Sequence, residues 1–268
     1  MLITIKEYVK PESIDKAYDC LVSKKNSVLI GGGAFVRMGR KNITTAIDLS
    51  EANLNTIKET EDEIEIGGMT TFGELEQSPI LKKYFSNMLA LSVKDIVGVQ
   101  LRNIVTVGGT VHSRYGFSDL ITALLALDTM VKLYKQGIIP LEEFLAKGSE
   151  QPDILESIII KKDSRKAAFE SMRNSKGDYA ILNVAISKLE DRFRISVGAR
   201  PSRATLAYDT MDYLNKNGYS HKNIIEASKM ASDEITFGTN SRGGKEYRRE
   251  ICKVLLKRAL LEVVGNAD

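Results

Sequence analysis

Short β-branched runs alternate along this chain with helical stripes of apolar side chains, and glycines mark where several of the runs stop. Ile3 and Ile5 alternate with polar neighbours, as in an edge strand. Pro11-Glu12-Ser13 then opens a helix in which Ile14, Ala17, Tyr18 and Leu21 fall on one stripe. Residues 28–30 predict a buried strand that ends at Gly31-Gly32-Gly33. Residues 46–49 predict another strand, and Ile64-Glu65-Ile66 predicts a half-buried one stopped by Gly67-Gly68. Thr70 or Thr71 is placed to cap a helix over 72–77. After the Ser78-Pro79 break the pattern predicts a helix near 80–97. Val105-Thr106-Val107 then predicts a strand running into Gly108-Gly109. Ser118 is placed to cap an apolar helix over 119–127, and a strand follows over 129–134.

Ile158-Ile159-Ile160 is strongly β-branched, and the polar run 161–165 after it marks the domain boundary. Beyond it, strands over 180–189 and 192–197 join through Glu190-Asp191. Helices over 204–217, 221–232 and 245–264 close the chain, the last with Ile251, Val254, Leu255, Ala259 and Leu260 on one face. The fold class is α+β, with both glycine turns in the first part.

Charge narrows the function little: 38 basic against 35 acidic residues give +3, no electrostatic case for nucleic acid or a membrane. Cys20 and Cys252 form no clustered motif, which argues against an iron–sulfur or zinc site within the chain. His112 and His221 make no metal motif. Met1 to Lys6 is too short and too soon polar for a leader, and no apolar run reaches membrane-spanning length. A soluble, cytoplasmic protein is expected.

Chemistry concentrates at the two glycine turns. Glycine tolerates positive φ and lets a ligand approach the backbone, and bare N–H groups in such turns hold phosphate oxygens. Two such turns suit the two phosphates of a dinucleotide gripped from opposite sides. A tight strand-to-helix turn without a ligand fits the same residues.

The stretch Gln100-Leu101-Arg102-Asn103-Ile104-Val105-Thr106-Val107-Gly108-Gly109-Thr110, followed by Ser118-Asp119-Leu120 and an apolar helix, adds specificity. It resembles the flavin-binding (medium) subunit of the molybdenum hydroxylases, the family of xanthine dehydrogenase and carbon monoxide dehydrogenase. Leu29-Ile30-Gly31-Gly32-Gly33-Ala34-Phe35-Val36 resembles that family's first flavin loop. Residues 66–72, 153–158 and 178–185, with Tyr247-Arg248-Arg249 and Arg258-Ala259-Leu260, resemble further family elements, so the likeness is nearly full-length and colinear.

The resemblance implies a two-subdomain FAD-binding domain of the vanillyl-alcohol-oxidase (PCMH) type over 1–163, split into subdomains of about 1–57 and 58–163. A C-terminal α+β domain over 164–268 would follow, with a small antiparallel sheet and helices. It implies that Leu29, Ile30, Gly31, Gly32, Gly33, Ala34, Phe35 and Val36 form one wall around the FAD pyrophosphate. Thr106, Gly108, Gly109 and Thr110 would form the other, both walls donating main-chain N–H groups. Asp119 would reach an FAD hydroxyl, Leu155 would pack on the isoalloxazine, and His112 and Ser118 would complete the contacts. The implied activity is that of an oxidoreductase subunit working in a complex. A molybdenum-cofactor subunit and a 2Fe-2S subunit would send electrons through FAD to NAD or another acceptor. No catalytic side chain and no metal ligand is expected.

Several residues depart from the family pattern. Ala34-Phe35 and Thr110 stand where stronger polar ligands are usual. Glu170-Ser171 follows Phe169 where many members carry a lysine, leaving that cation absent or supplied by Arg173. These departures keep open a non-catalytic scaffold or assembly subunit with weak or lost FAD binding; a free-standing flavin reductase is a third possibility. Plain structural roles also remain open: helix-start carboxylate for Asp119, cap for Ser118, core for Leu155, packing and surface ion pairs for Tyr247, Arg248 and Arg249.

Overall fold

The computed structural model describes residues 3–40 and 42–265, so Met1 and Leu2 of the opening segment lie outside the described residues. The elements in chain order are β1 (Thr4–Val9), α1 (Ile14–Ser23), β2 (Ser27–Ile30), β3 (Asn42–Asp48), β4 (Ile57–Glu59), β5 (Glu63–Gly67), α2 (Phe72–Gln77), α3 (Pro79–Lys83), α4 (Met88–Val93), α5 (Val99–Arg102), α6 (Val107–His112) and α7 (Asp119–Ala126). They continue with β6 (Met130–Leu133), β7 (Gly137–Pro140), α8 (Leu141–Lys147), β8 (Leu155–Lys161), β9 (Lys166–Arg173), β10 (Ala180–Leu189), β11 (Arg192–Gly198), β12 (Thr205–Leu206), α9 (Tyr208–Asn217), α10 (His221–Glu234) and α11 (Lys245–Val264). Tertiary contacts group them into two units. The first takes the described residues of Met1–Leu75, Gly98–Ser113 and Met130–Ile160, and the second those of Glu76–Val97, Arg114–Thr129 and Lys161–Asp268.

The first unit holds two sheets. Strands β1-β3-β2 are parallel, with β3 in the middle, so Ala46 and Ile47 are fully buried while β1 is an exposed edge. Ser13 caps α1 by accepting the Lys16 N–H, and Ala17 packs with Ile47, Leu49 and Leu54. The second sheet runs β4-β5-β8-β6-β7. Along β5 the alternation is literal: Ile64 and Ile66 are buried, while Glu65 between them accepts the Ser157 hydroxyl. Thr71 and Glu74 form a capping box at α2, each side chain accepting the other's backbone N–H.

The second unit is built on the antiparallel sheet β12-β11-β10-β9, with α7, α9, α10 and α11 packed in the same unit. Residues 180–187 of β10 are all buried, as a central strand covered on both faces must be.

Three expectations are corrected here. The helix near 80–97 is broken into α3 and α4 by Phe85, Ser86 and Asn87, with φ of 54°, 52° and 62°. That turn drives Phe85 into the core and aims the Ser86 hydroxyl at the Ala167 N–H. The strand over 105–107 is only a single bridge between Thr71 and Thr106, and Val107 already belongs to α6. Gly108-Gly109 therefore lies in a helical first turn, with Thr106 as its cap. The first of the three C-terminal helices, α9, begins at Tyr208 rather than 204, because Thr205–Leu206 joins the sheet as β12.

Candidate functional site

In the first unit the two glycine segments meet. Beyond β2 the chain turns through Gly32 and Gly33, whose φ values of +76° and +70° are left-handed. A Cβ on Gly32 would lie 1.6 Å from the Ile104 carbonyl oxygen, so only glycine fits. The N–H groups of Gly32, Gly33 and Ala34 donate to no acceptor among the described residues. This is a backbone cradle with open donors, the arrangement that suits phosphate oxygens.

Thr106, 2% exposed, stitches this loop to α6 across 75 residues of sequence. Its hydroxyl donates to the Gly31 carbonyl at 3.0 Å and accepts the Gly109 N–H at 3.1 Å. Glycines 31, 108 and 109 do not have positive φ; they are small because the Thr106 hydroxyl and neighbouring carbonyls press against them. A Cβ on Gly31 would lie 2.7 Å from Thr106 Oγ1, one on Gly109 3.0 Å from the Gly31 oxygen, and one on Gly108 2.7 Å from the Gly68 oxygen.

The two walls differ in what they offer. The N–H groups of Val107, Gly108, Gly109 and Thr110 go to Thr70, Gly68, Thr106 Oγ1 and the Thr106 carbonyl. The second segment thus spends its donors on the protein and fixes the shape of the first.

The remaining candidates in this unit occupy several settings. Leu29 and Ile30 are half-buried at the end of β2, Ala34 is buried, Phe35 is half-buried, and Val36 begins a short 3-10 turn. Thr110 is buried within α6. His112 ends α6, exposed, with its ring 6.2 Å from that of Phe144. Leu155 is buried at the start of β8 and is tied to α6 through Gly68, which donates to Glu156 and accepts from Gly108.

Ser118 and Asp119 belong to the second unit. Ser118 caps α7 by accepting the Ile121 N–H. Asp119 is 3% exposed. Its Oδ2 accepts Arg173 Nη2 at 2.7 Å and its Oδ1 accepts Asn183 Nδ2 at 2.6 Å. Burial pushes the Asp119 carboxyl above the usual range, and the Arg173 charge and the two hydrogen bonds pull against it. The charge of Arg173 is therefore committed to Asp119. Sequence reasoning missed this link because 54 residues separate the partners, although Asn183 lies inside the recognised 178–185 stretch.

Arg248 is a buried clamp rather than half of a surface ion pair. It is fully buried and donates to the carbonyls of Ile181, Gly238 and Gly243 and to Asn240 Oδ1. Arg249 does form the expected ion pair, with Asp233. Among the described residues no group of three His, Cys, Asp or Glu side chains could hold a metal ion, and no helix is long and apolar enough to cross a membrane.

Comparison with known proteins supports the same assignment. Residues 4–162 match the family model for the FAD binding domain in molybdopterin dehydrogenase, and residues 167–263 match the CO dehydrogenase flavoprotein C-terminal domain. The chain is 25% identical over 273 residues to the nicotine 6-hydroxylase medium subunit of Paenarthrobacter nicotinovorans, covering 95% of this chain and 96% of that protein. It is 26% identical over 280 residues to the glyceraldehyde dehydrogenase medium chain of Sulfolobus acidocaldarius, covering 96% and 97%. Carbon monoxide dehydrogenase from Hydrogenophaga pseudoflava has the same fold, with a TM-score of 0.91 at 21% identity over 100% of both chains. Quinoline 2-oxidoreductase from Pseudomonas putida 86 follows at 0.90 and 18%, covering 100% of this chain and 99% of that one. A glycine cradle with open donors, inside a family match spanning more than half of the chain, leads to one assignment: the chain belongs to the molybdopterin dehydrogenase FAD-binding family and is an FAD-binding subunit of a molybdenum-hydroxylase-type oxidoreductase.

Proposed function

We propose that this subunit passes electrons from the iron–sulfur clusters of a partner subunit, through FAD, to NAD or another acceptor. A molybdenum-cofactor subunit and a 2Fe-2S subunit complete the assembly in this reading. It draws support from the relatives whose names describe medium subunits or chains of hydroxylases and dehydrogenases. FAD, when bound, supplies the exchange between one-electron and two-electron transfer. The observation that carries the reading is the cradle at Gly32, Gly33 and Ala34, with its three open N–H groups.

In this reading the three N–H groups hold the FAD pyrophosphate. Gly31, Thr106, Gly108, Gly109 and Thr110 keep the cradle in shape. Asp119 accepts a hydroxyl of the cofactor, and Leu155 offers an apolar surface to the ring. None of these side chains donates or removes a proton in the reaction; the chain binds and orients.

The test is titration of the purified chain with FAD, followed by flavin fluorescence quenching, and then anaerobic reduction. Reduction only when the partner subunits turn over substrate, with NADH forming on addition of NAD, is expected. Rapid dye reduction by NADH with the isolated chain would replace the relay by a free-standing reductase. The scaffold reading draws on the donors spent by α6 and on Ala34 and Thr110. An FAD affinity too weak to saturate the complex would favour it.

A further inference from the structure

Asp119 is held more elaborately than the start of a helix requires. Ser118 already caps α7, so Asp119 has no capping duty. Arg173 closes β9 and Asn183 sits on β10; both reach the carboxylate, and each is itself fixed. Arg173 Nη1 donates to the Asp178 carbonyl at 2.7 Å. Asn183 Oδ1 accepts the Thr122 hydroxyl at 2.8 Å, and because an ionised carboxylate can only accept, the amide nitrogen is the end that faces Asp119. Gly198 on β11 leaves room for this: a Cβ there would lie 2.0 Å from Thr122 Oγ1 and 2.5 Å from Asn183 Oδ1.

We propose that Arg173 and Asn183 are positioning residues for FAD, keeping the Asp119 carboxylate charged and fixed in direction so that its free lone pairs accept a cofactor hydroxyl. This rests on the reading of Asp119 as an FAD contact. The groups that act on Asp119 are Arg173 from β9, Asn183 from β10 and, more weakly, Asp95 from the segment after α4. Asp95 is itself paired with Lys176 at 3.8 Å. Without Arg173, burial and the Asp95 charge both favour the protonated acid, which is a poorer acceptor.

The experiment measures the FAD Kd of the full chain by flavin fluorescence quenching from about pH 6 to about pH 9, beside thermal melts. The variants are Arg173→Met, Arg173→Lys, Asp119→Asn and the Arg173→Met/Asp119→Asn pair. Wild type is expected to be flat with pH. Arg173→Met should weaken FAD roughly tenfold at the acid end and recover toward the alkaline end. Arg173→Lys should restore most of the affinity. The double variant should bind no more weakly than Asp119→Asn alone. A merely structural pair would lower the melting temperature of Arg173→Met and leave its Kd and pH profile as in wild type; that result overturns the inference. Wild-type affinity in Asp119→Asn would instead overturn the assignment of Asp119 as an FAD contact. If Arg173→Met shows no cooperative melt, Asn183→Ser is measured in its place: weaker FAD supports the proposal, unchanged FAD overturns it.

Discussion

A methyl group at Gly32 would sit 1.6 Å from the carbonyl oxygen of Ile104, where real Cβ atoms keep at least 3.0 Å. In Gly32→Ala the loop must therefore retreat by about 1.4 Å, the difference between those two distances. The left-handed φ of +76° adds a strain of about 1–2 kcal/mol for any residue with a side chain. A displacement of that size exceeds the useful range of an N–H···O bond, roughly 2.7–3.2 Å. Losing one charge-assisted bond to the pyrophosphate costs about 1.5–3 kcal/mol, which raises the FAD Kd roughly ten- to hundredfold. Gly137→Ala is the internal control. Gly137 has φ +83° in the same unit, and its Cβ would meet nothing within 4 Å. It carries the backbone strain without the collision, so it should lower the melting temperature and leave the FAD Kd alone. Isothermal titration of both variants reads the contrast. Wild-type affinity in Gly32→Ala, or equal weakening in Gly137→Ala, refutes the placement of the pyrophosphate on this loop.

Three further outcomes are expected. Thr106→Val leaves the Gly31 carbonyl and the Gly109 N–H without their shared partner; denaturant melts should show a loss of about 2 kcal/mol, and Thr106→Ser should recover it. Arg248→Met strips the donor from three carbonyls, that of Ile181 buried and those of Gly238 and Gly243 partly so, and should cost about 3 kcal/mol or more in the same melts, with an unchanged denaturation midpoint counting against the clamp. A thiol reagent near pH 8 should modify Cys20 in the native protein and spare Cys252, which is fully buried and whose thiol burial pushes up to about 12, until denaturant is added; two reactive thiols before unfolding would contradict the packing of α11.

Local chemistry was legible wherever a residue's role is set by its own neighbours. Ser118 was readable as a cap, and Thr71 sits three residues before Glu74, because capping is decided within one helical turn. The broken helix after Pro79 was not readable: Phe85-Ser86-Asn87 contains neither glycine nor proline, and its left-handed backbone is held by a local bond from the Asn87 N–H to the Tyr84 carbonyl together with the tertiary bond from the Ala167 N–H to the Ser86 hydroxyl. Val105-Thr106-Val107 looked like a strand because it is β-branched, yet the Thr106 hydroxyl serves better as a cap and a bridge. At the site, the glycines announced themselves, but their reasons differ. Gly33 is there for φ, Gly32 for φ and for the press of the Ile104 carbonyl, and Gly31, Gly108 and Gly109 for closeness, a distinction that depends on residues distant in sequence. Tyr247-Arg248-Arg249 reads only as helix packing and surface ion pairs, since the sequence does not reveal that carbonyls from β10 and the 238–243 loop converge on Arg248.

Each unit is assembled from three separated stretches, and this shapes how the chain must come off the ribosome. When residue 129 has emerged, parts of both units exist and neither is complete. The first still lacks β6, β7 and β8, three of the five strands of its second sheet, and the second lacks its entire sheet. Early strands must wait, with open edges, for partners made much later, which is slow and exposes them to misassociation. Cutting the gene at the boundary near 163 would leave residues 76–97 and 114–129 without the sheet they pack on. The subunit is therefore made all at once or not at all, and a nascent-chain proteolysis series should show protection arriving late and together.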